Sequence, residues 1–398
     1  MNSRARSRSR SGTVWGKGVS KTLAAAAALS LAAGALAGPR EQAQRMHDRI
    51  AGVPADETVL RQMTQMIENK NPLGAALLAT HNRHFYTVTL KNFAAPWTNR
   101  DQSPFVPLND YTTLVIGLVK DDLPFDQILY GDLLYYAPSV SPLPSASSNA
   151  HYEALERRMN DPSFDPETDI VQTAQSAFYP LPPNATAGAI TTRAAAEAFF
   201  IAGTNRAMFR FTLLNHLCVD MEQVLDTSTI PDRIRQDVSR SPGGDSRVFM
   251  NNCIGCHAGM DPLAQAFAYY NFNPATGSIE YTQGIVQPKY FNNADTFPDG
   301  YVTPDDAWEN YWRVGRNALL GWDPTLPGHG NGAKSMGMEL ARSEAFAQCQ
   351  VKKVFKNVCL RDPDANDHEF ITDLTQSFKG GYDLRNVFAQ SAVYCRGE

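Results

Sequence analysis

The sequence predicts a mainly α-helical protein with a few short strands. Three observations carry that expectation. Apolar side chains recur at helical spacing through several long stretches, Val59, Leu60, Met63 and Met66 being one instance. Start and stop signals frame those stretches, among them Asp56 ahead of one and Gly380-Gly381 behind another. Strand-favouring residues come only in short runs such as "FYTVTLKNF". A hydrophobic fraction of 43% and a charged fraction of 19% belong to an ordinary globular chain. A length of 398 residues makes two domains the natural expectation.

The first 37 residues stand apart from the fold. Arg4, Arg6, Arg8, Arg10, Lys17 and Lys21 form a basic region without an acid. The Ala-rich run "TLAAAAALSLAAGALA" follows, and Ala35-Leu36-Ala37 offers a small-x-small cleavage site. A run of about 15 residues falls short of the roughly 20 that a membrane span needs. The expectation is therefore a cleaved signal peptide over 1–37 and a periplasmic location. The arginines alternate with serine and never pair, which favours the general export route. Removing the leader takes away six cations and no acid, so the formal charge moves from −5 to −11. An acidic mature chain argues against nucleic acid and anionic membrane surfaces as partners. No later stretch is apolar for long enough to span a membrane.

Residues 38–190 read as an N-terminal helical domain. "PREQAQRMHDRIAG" has Met46 and Ile50 one turn apart and stops at Gly52-Val53-Pro54. "DETVLRQMTQMIEN" starts on Asp56 as N-cap, and "PLGAALLATHN" gives a third short helix before the β-like run. Residues 96–112 and 137–150 are loop by composition. Between them, "YTTLVIGLVKDDLPFDQILYGDLLYY" reads as two helices broken at Pro124, and "HYEALERRM" follows as a short helix.

Residues 191–398 read as a second domain. "TTRAAAEAFFIAGTNRAMFRFTLLNHLCVDMEQV" gives two helices parted near Gly203-Thr204-Asn205, the second running to Val224. Pro262 to Tyr270 is expected to be helical, and 273–302 to be an insert with β character. "TPDDAWENYWRVGRNALLG" carries a helix start, with Thr303 as N-cap, Pro304 at N1 and Asp306 at N3, and Gly321 as its end. "KSMGMELARSEAFAQCQVKKVFKNVC" reads as one long helix or two abutting ones. "DHEFITDLTQSFKGG" and "YDLRNVFAQSAVYC" complete the chain.

The chemistry concentrates in "NNCIGCHAGMDP" at 251–262. Cys253-Ile254-Gly255-Cys256-His257 sets two thiols two residues apart with a histidine directly after. That spacing suits thioether attachment of a porphyrin through both vinyl groups, with the histidine reaching the iron from the proximal side. One covalent haem c is expected, on Cys253, Cys256 and His257. Export agrees, because haem c is attached outside the cytoplasm. The competing readings want other surroundings. A redox dithiol wants a βαβ context. A zinc site wants two more close ligands, and the chain has no second Cys-x-x-Cys and no His-x-x-x-His.

The sixth iron position calls for a ligand from the opposite face of the ring. Met260 follows His257 too closely to cross over, so it is expected to pack against the haem edge, with Asp261-Pro262 opening the next helix. The glycine-rich stretch "GHGNGAKSMGMEL" at 328–340 supplies better candidates. Met336 is preferred to Met338 and His329, and Met–His ligation raises the potential. Plain core packing is the alternative for either methionine. Arg240, with Arg233 and Arg235, offers cations for the haem propionates, and Trp322 and Tyr269 are further partners.

Cys218, Cys349, Cys359 and Cys395 remain, and four cysteines in an exported protein allow three pairings. Cys349 and Cys359 lie ten residues apart on an apparent helix, about 15 Å along its axis and beyond disulfide reach. Cys395 is then expected to pin the last helix to Cys359, and Cys218 to pair with Cys349. A buried free thiol at Cys218 is the alternative. Other constellations are weaker. "HNRH" at 81–84 lacks the carboxylates of a metal site, and "SPGGDSR" at 241–247 lacks the Lys-Ser/Thr helix of a phosphate loop.

The stretch "DRIRQDVSRSPGGDSRVFMNNCIGCHAGMDPLAQAFAYYNF" resembles the haem-binding segment of planctomycete-type cytochromes. In that family an Arg-rich stretch precedes Cys-x-x-Cys-His, and Met/Ile-Asp-Pro-Leu and an aromatic-rich helix follow. The matching positions are Arg233, Arg235, Cys253, Cys256, His257, Met260, Asp261, Pro262 and Leu263. "YDLRNVFAQSAVY" is similar to the family's C-terminal helix, and "DDLPFDQIL" to a phrase of its N-terminal helical regions. The resemblance covers about residues 190–395 and implies haem and export rather than a particular reaction. The chain departs from the pattern in "SPGGDSR" and in the 273–302 insert.

The whole points to an N-terminal helical domain followed by a cytochrome c-like helical haem domain with a small β-containing insert. Its expected function is that of an exported monohaem c-type cytochrome carrying single electrons, with a periplasmic redox partner protein. The N-terminal part would dock that partner or cover the haem. The alternative is a haem-dependent oxidoreductase with an open sixth iron position, peroxidase-like or acting on an organic substrate. A third reading is a binding or assembly protein with structural haem.

Overall fold

A computed structural model describes residues 37–201, 203–239, 245–292 and 294–397. The expected signal peptide, apart from Ala37, lies outside the described residues, and so does Arg240.

Three helices open the chain: α1 (Pro39–Ala51), α2 (Glu57–Glu68) and α3 (Pro72–Thr80). Gly52, at φ 73°, ends α1 in the left-handed conformation that a Cβ disfavours. The Asp56 carboxylate accepts from the N–H groups of Thr58 and Val59 and starts α2, as the sequence predicts. Beyond α3 the chain stays helical where strand was expected. Residues Phe85–Leu90 form a π-helical turn that runs into α4 (Lys91–Ala94). Phe85, Tyr86, Thr89, Leu90, Phe93 and Ala94 recur at helical spacing and all are buried. Burial of that face overrides the β-propensity of the run.

Helix α5 (Asp110–Lys120) is buried along nearly its whole length. The second helix expected after Pro124 is instead a 3-10 turn over Phe125–Leu129, followed by strand β1 (Leu134–Tyr136). Strand β1 pairs antiparallel with β2 (Val171–Thr173), with α6 (Ala150–Met159) and α7 (Pro166–Asp169) between them. The break expected at 203–205 separates α8 (Arg193–Phe199) from α9 (Arg206–His216). Helix α9 ends at His216 rather than Val224, because Cys218 turns the chain with φ 57° into a disulfide.

Helices α10 (Ser246–Asn252) and α11 (Ile254–Ala264) carry the Cys-x-x-Cys-His motif. Pro262 lies in the last turn of α11 and does not open a new helix, because α11 already starts at the motif. A 3-10 turn and the antiparallel hairpin of β3 (Tyr270–Asn273) and β4 (Ser278–Tyr281) follow. The helix expected from Thr303 is absent. Strand β5 (Ala307–Glu309) pairs with β6 (His329–Asn331), and 3-10 turns occupy Tyr311–Arg313 and Gly315–Leu320. Trp308 and Trp312, one helical turn apart in sequence, are buried from this irregular path. The Trp308 indole donates to Ser335 Oγ at 2.7 Å, and the Asn310 side chain accepts from the Trp312 N–H. These contacts outweigh a local start signal. Two abutting helices follow, α12 (Gly332–Ala341) and α13 (Glu344–Cys359), parted by Ser343, which caps the second. Helices α14 (His368–Lys379) and α15 (Leu384–Tyr394) close the fold.

The architecture is mainly α, with three two-stranded sheets among the described residues. The expected boundary at 190/191 has apolar packing across it. That boundary falls at a 3-10 turn, Gly188–Thr191, inside one apolar core that runs from Ala43 in α1 to Ala392 in α15. Helix α15 packs on α1, α3 and α13, so the C-terminus completes the N-terminal layer. Arg385 of α15 donates to Asp122 at 2.6 Å, to the Tyr86 hydroxyl at 2.9 Å and to the carbonyls of Val119 and Lys120. Cys218–Cys349 and Cys359–Cys395 are disulfides, the pairing that the sequence predicts. The second pins α13 to the end of α15.

Candidate functional site

Cys253 is the joint between α10 and α11. Its N–H donates to the Phe249 carbonyl at 2.9 Å, closing α10. Its carbonyl accepts from the N–H groups of Cys256 and His257 at 3.2 and 3.1 Å, opening α11. Residues three and four apart on a helix share a face, so Cys253, Cys256 and His257 stand together. Both thiols are free and half-buried. Burial raises the Cys256 thiol above its usual range, helped by Cys253 and the acids Glu222 and Asp220.

Gly255 and Gly259 lie one turn apart on the same helix. A Cβ on Gly255 would stand 2.9 Å from the Leu225 side chain, and one on Gly259 would overlap the Trp312 indole nitrogen. The two glycines let Leu225 and Trp312 come close and so fix how the motif face points. The Asp226 N–H donates to the Gly255 carbonyl at 3.0 Å, tying the 225–232 segment to the motif.

His257 Nδ1 lies 3.2 Å from Asp261 Oδ2, one turn further along α11. With a carboxylate as acceptor, the ring proton sits on Nδ1 and Nε2 is left with a lone pair, the tautomer that a metal-binding imidazole presents. The Asp261 side chain is fully buried. Arg206 donates to it from Nε at 2.7 Å and from Nη2 at 3.0 Å, and Arg235 from Nη2 at 3.2 Å. Burial alone would raise the Asp261 carboxyl, but Arg206 and Arg235 overcome it and hold the group well below the usual carboxylate range. Arg206 also grips Asp237 at 2.6 and 3.0 Å. Arg235, buried, lies 4.9 Å over the Tyr290 ring.

A small apolar cluster of Ile234, Val238 and Phe249 packs against Cys253 and Ile254, apart from the main core. The Phe249 ring centroid is 5.8 Å from that of His257. A groove of about 450 Å³ runs along the 226–232 segment to Tyr311 and Val314. Ile230 and Val314 stand 69% and 74% exposed at it. The groove also carries Asp226, Asp232 and Glu309. Arg233 pairs with Glu309 at 3.0 Å.

Among the expected site residues, the structure brings Cys253, Cys256 and His257 together and places Met260 one turn on, buried in the main core. Met336 is fully buried in that core on α12. A Cβ on the next residue, Gly337, would overlap the Leu129 carbonyl, so α12 is wedged against the 125–129 turn. Met338 is half-buried and His329 exposed. Arg235 joins the ion cluster. The Trp322 indole donates to the carbonyls of Trp312 and Asn317. Tyr269 packs with Ala268 and Tyr290. Sequence reasoning missed Asp261 as the partner of His257, and with it Arg206 and Asp237. The four-residue spacing of His257 and Asp261 was the available signal.

Two free thiols and an imidazole with an available Nε2 on one helix face form the donor set that covalent haem attachment uses. Among the described residues no group of three or more histidines, cysteines and carboxylates is placed to hold a metal ion by itself. Nor, among them, is any helix long and apolar enough to cross a membrane. In comparison with known proteins the chain matches no family model, no curated protein and no solved structure.

Proposed function

We propose that the protein is an exported monohaem c-type cytochrome that carries single electrons and exchanges them with a redox partner protein in the periplasm. One observation carries this reading: Cys253, Cys256 and His257 share a helix face, with His257 Nδ1 held by a buried carboxylate. Cys253 and Cys256 would hold the haem through thioether bonds and His257 would ligate its iron. Haem bound in this way supplies a one-electron couple. The chain's own residues orient and shield. Asp261 fixes the ring of His257, Phe249, Ile234 and Val238 keep water from the Cys253 side, and Gly259 seats the motif helix on Trp312. The basic, Ala-rich leader supports export, and two disulfides suit an oxidising compartment. The resemblance to planctomycete-type cytochromes supports the same reading.

One observation favours a second reading. Met336 is fully buried on a helix wedged against Leu129. Ligation by Met336 would require α12 to move. Iron with its sixth position open would make the protein a haem-dependent oxidoreductase acting on peroxide or an organic substrate. The absorption spectrum of the purified protein separates the two. A low-spin spectrum with a sulfur-to-iron band supports the electron carrier with methionine ligation. A high-spin spectrum that changes on adding cyanide supports the oxidoreductase. Absence of covalent haem overturns both.

A further inference from the structure

We propose that Asp261 sets the electron-donating strength of His257 and so biases the bound iron toward its oxidised form, with Arg206 and Arg235 fixing the carboxylate for that task. The inference rests on the haem reading above. A ligating imidazole transmits to the metal the hydrogen bond that its other nitrogen makes, and an anionic acceptor makes the ligand more basic than a neutral one does. Here the acceptor is a carboxylate, 3.2 Å from Nδ1 and on the same helix.

The placement is built rather than incidental. Asp261 is fully buried, and three guanidinium N–H groups at 2.7, 3.0 and 3.2 Å hold its two oxygens. Those bonds fix the carboxylate plane and leave Oδ2 turned to the imidazole. The clamp is itself anchored, since Arg206 also binds Asp237 and Arg235 is packed over Tyr290. Asp237 lies in the same cluster, 2.6 Å from Arg206 and 3.9 Å from Arg235. Among the described residues the His257 side chain bonds Asp261, and ferric iron carries one positive charge more than ferrous. A carboxylate acting through the imidazole stabilises that extra charge. Asp261 is thus a positioning residue, acting on the iron only through His257.

The test uses the haem-loaded protein and the variants Asp261→Asn and Asp237→Asn. Asp237→Asn removes the same charge from the same cluster without touching His257. Asp261→Asn is expected to move the ferric–ferrous equilibrium toward ferrous by about tenfold or more, 59 mV for a one-electron couple. Asp237→Asn is expected to move it by less than about threefold. In the nitrogen-15 histidine spectrum of the ferrous protein, under carbon monoxide if it is high-spin, the His257 Nδ1 resonance should shift in Asp261→Asn and stay in place in Asp237→Asn. Equal effects of the two variants, or an Nδ1 resonance indifferent to Asp261→Asn, would overturn the proposal while leaving the haem reading intact. If Asp261→Asn does not fold, the unmodified protein decides. An Nδ1 proton protected from solvent exchange supports the proposal, and a freely exchanging one overturns it. A chain without covalent haem overturns both the reading and the inference.

Discussion

In the frame formed by α1, α3, α13 and α15, the contacts are mostly apolar, Arg385 of α15 adds a buried polar hub, and the covalent ties are disulfides. In the shoulder formed by α10 and the first turn of α11, a small apolar cluster of Ile234, Val238 and Phe249 packs beside a buried ion network, while Met260, Leu263 and Ala264 further along α11 join the main core. The frame is complete as it stands. The shoulder keeps two free thiols and an imidazole. The difference fits the proposed function, in which the shoulder would hold a haem and the frame would support it. Substitutions in the two regions should therefore fail in different ways.

The largest expected effect is on the shoulder. Replacing Cys253 and Cys256 together by serine should abolish covalent haem, read by haem staining of a denaturing gel, while both disulfides of the frame still form. Retained stain in that double variant would break the comparison. In the frame, removing Cys218–Cys349 closes off a tie across 131 residues and should cost about 3–5 kcal/mol of stability in urea titration. Removing Cys359–Cys395, across 36 residues, should cost about 2–4 kcal/mol. Neither loss should free the haem from a folded chain.

Gly259→Ala probes the seam between the two regions. The new methyl group would overlap the Trp312 indole, so a loss of about 1–3 kcal/mol is expected. It should come with a changed haem absorption spectrum, because the motif helix must tilt. An unchanged spectrum and melting temperature would show that Trp312 does not fix the motif.

The smallest expected effect is electrostatic and belongs to the frame. The Lys353 ammonium lies 3.9 Å over the Trp97 ring, and burial pushes its pKa down to about 7. Lys289 is pushed down to about 7 in the same way. An unfolded lysine titrates near 10.4. Between about pH 7 and 10.4 the unfolded chain therefore binds more protons than the folded one, and stability rises with pH across that window. Lys353→Met should raise stability by about 1 kcal/mol below pH 7. The gain should fade toward pH 10, and the slope should shrink rather than vanish because Lys289 remains. A gain independent of pH would contradict the account of Lys353.

What could be read from the sequence follows from how local each signal is. The Asp56 cap, the helices of the frame and the Cys-x-x-Cys-His turn are local in spacing, and all three have counterparts in the structure. The disulfide pairing was legible because a helix separates Cys349 from Cys359. Residues 85–94 and 303–321 were misread because partners distant in sequence decide them: the frame buries one face of the first, and β6 and Ser335 capture the second. Within the site, Asp261 was overlooked for a nearer reason. Treating Asp261-Pro262 as the start of a helix hides that His257 and Asp261 lie one turn apart on α11. Arg206 and Asp237 come from elsewhere in the chain, and no local pattern marks them.

The central claim is that Cys253 and Cys256 carry haem. Its most direct test is the mass of the peptide that contains both cysteines, taken from protein made in cells able to attach haem c. The account predicts that peptide with one haem covalently added and neither thiol open to alkylation. An unmodified peptide with both thiols alkylated would contradict it.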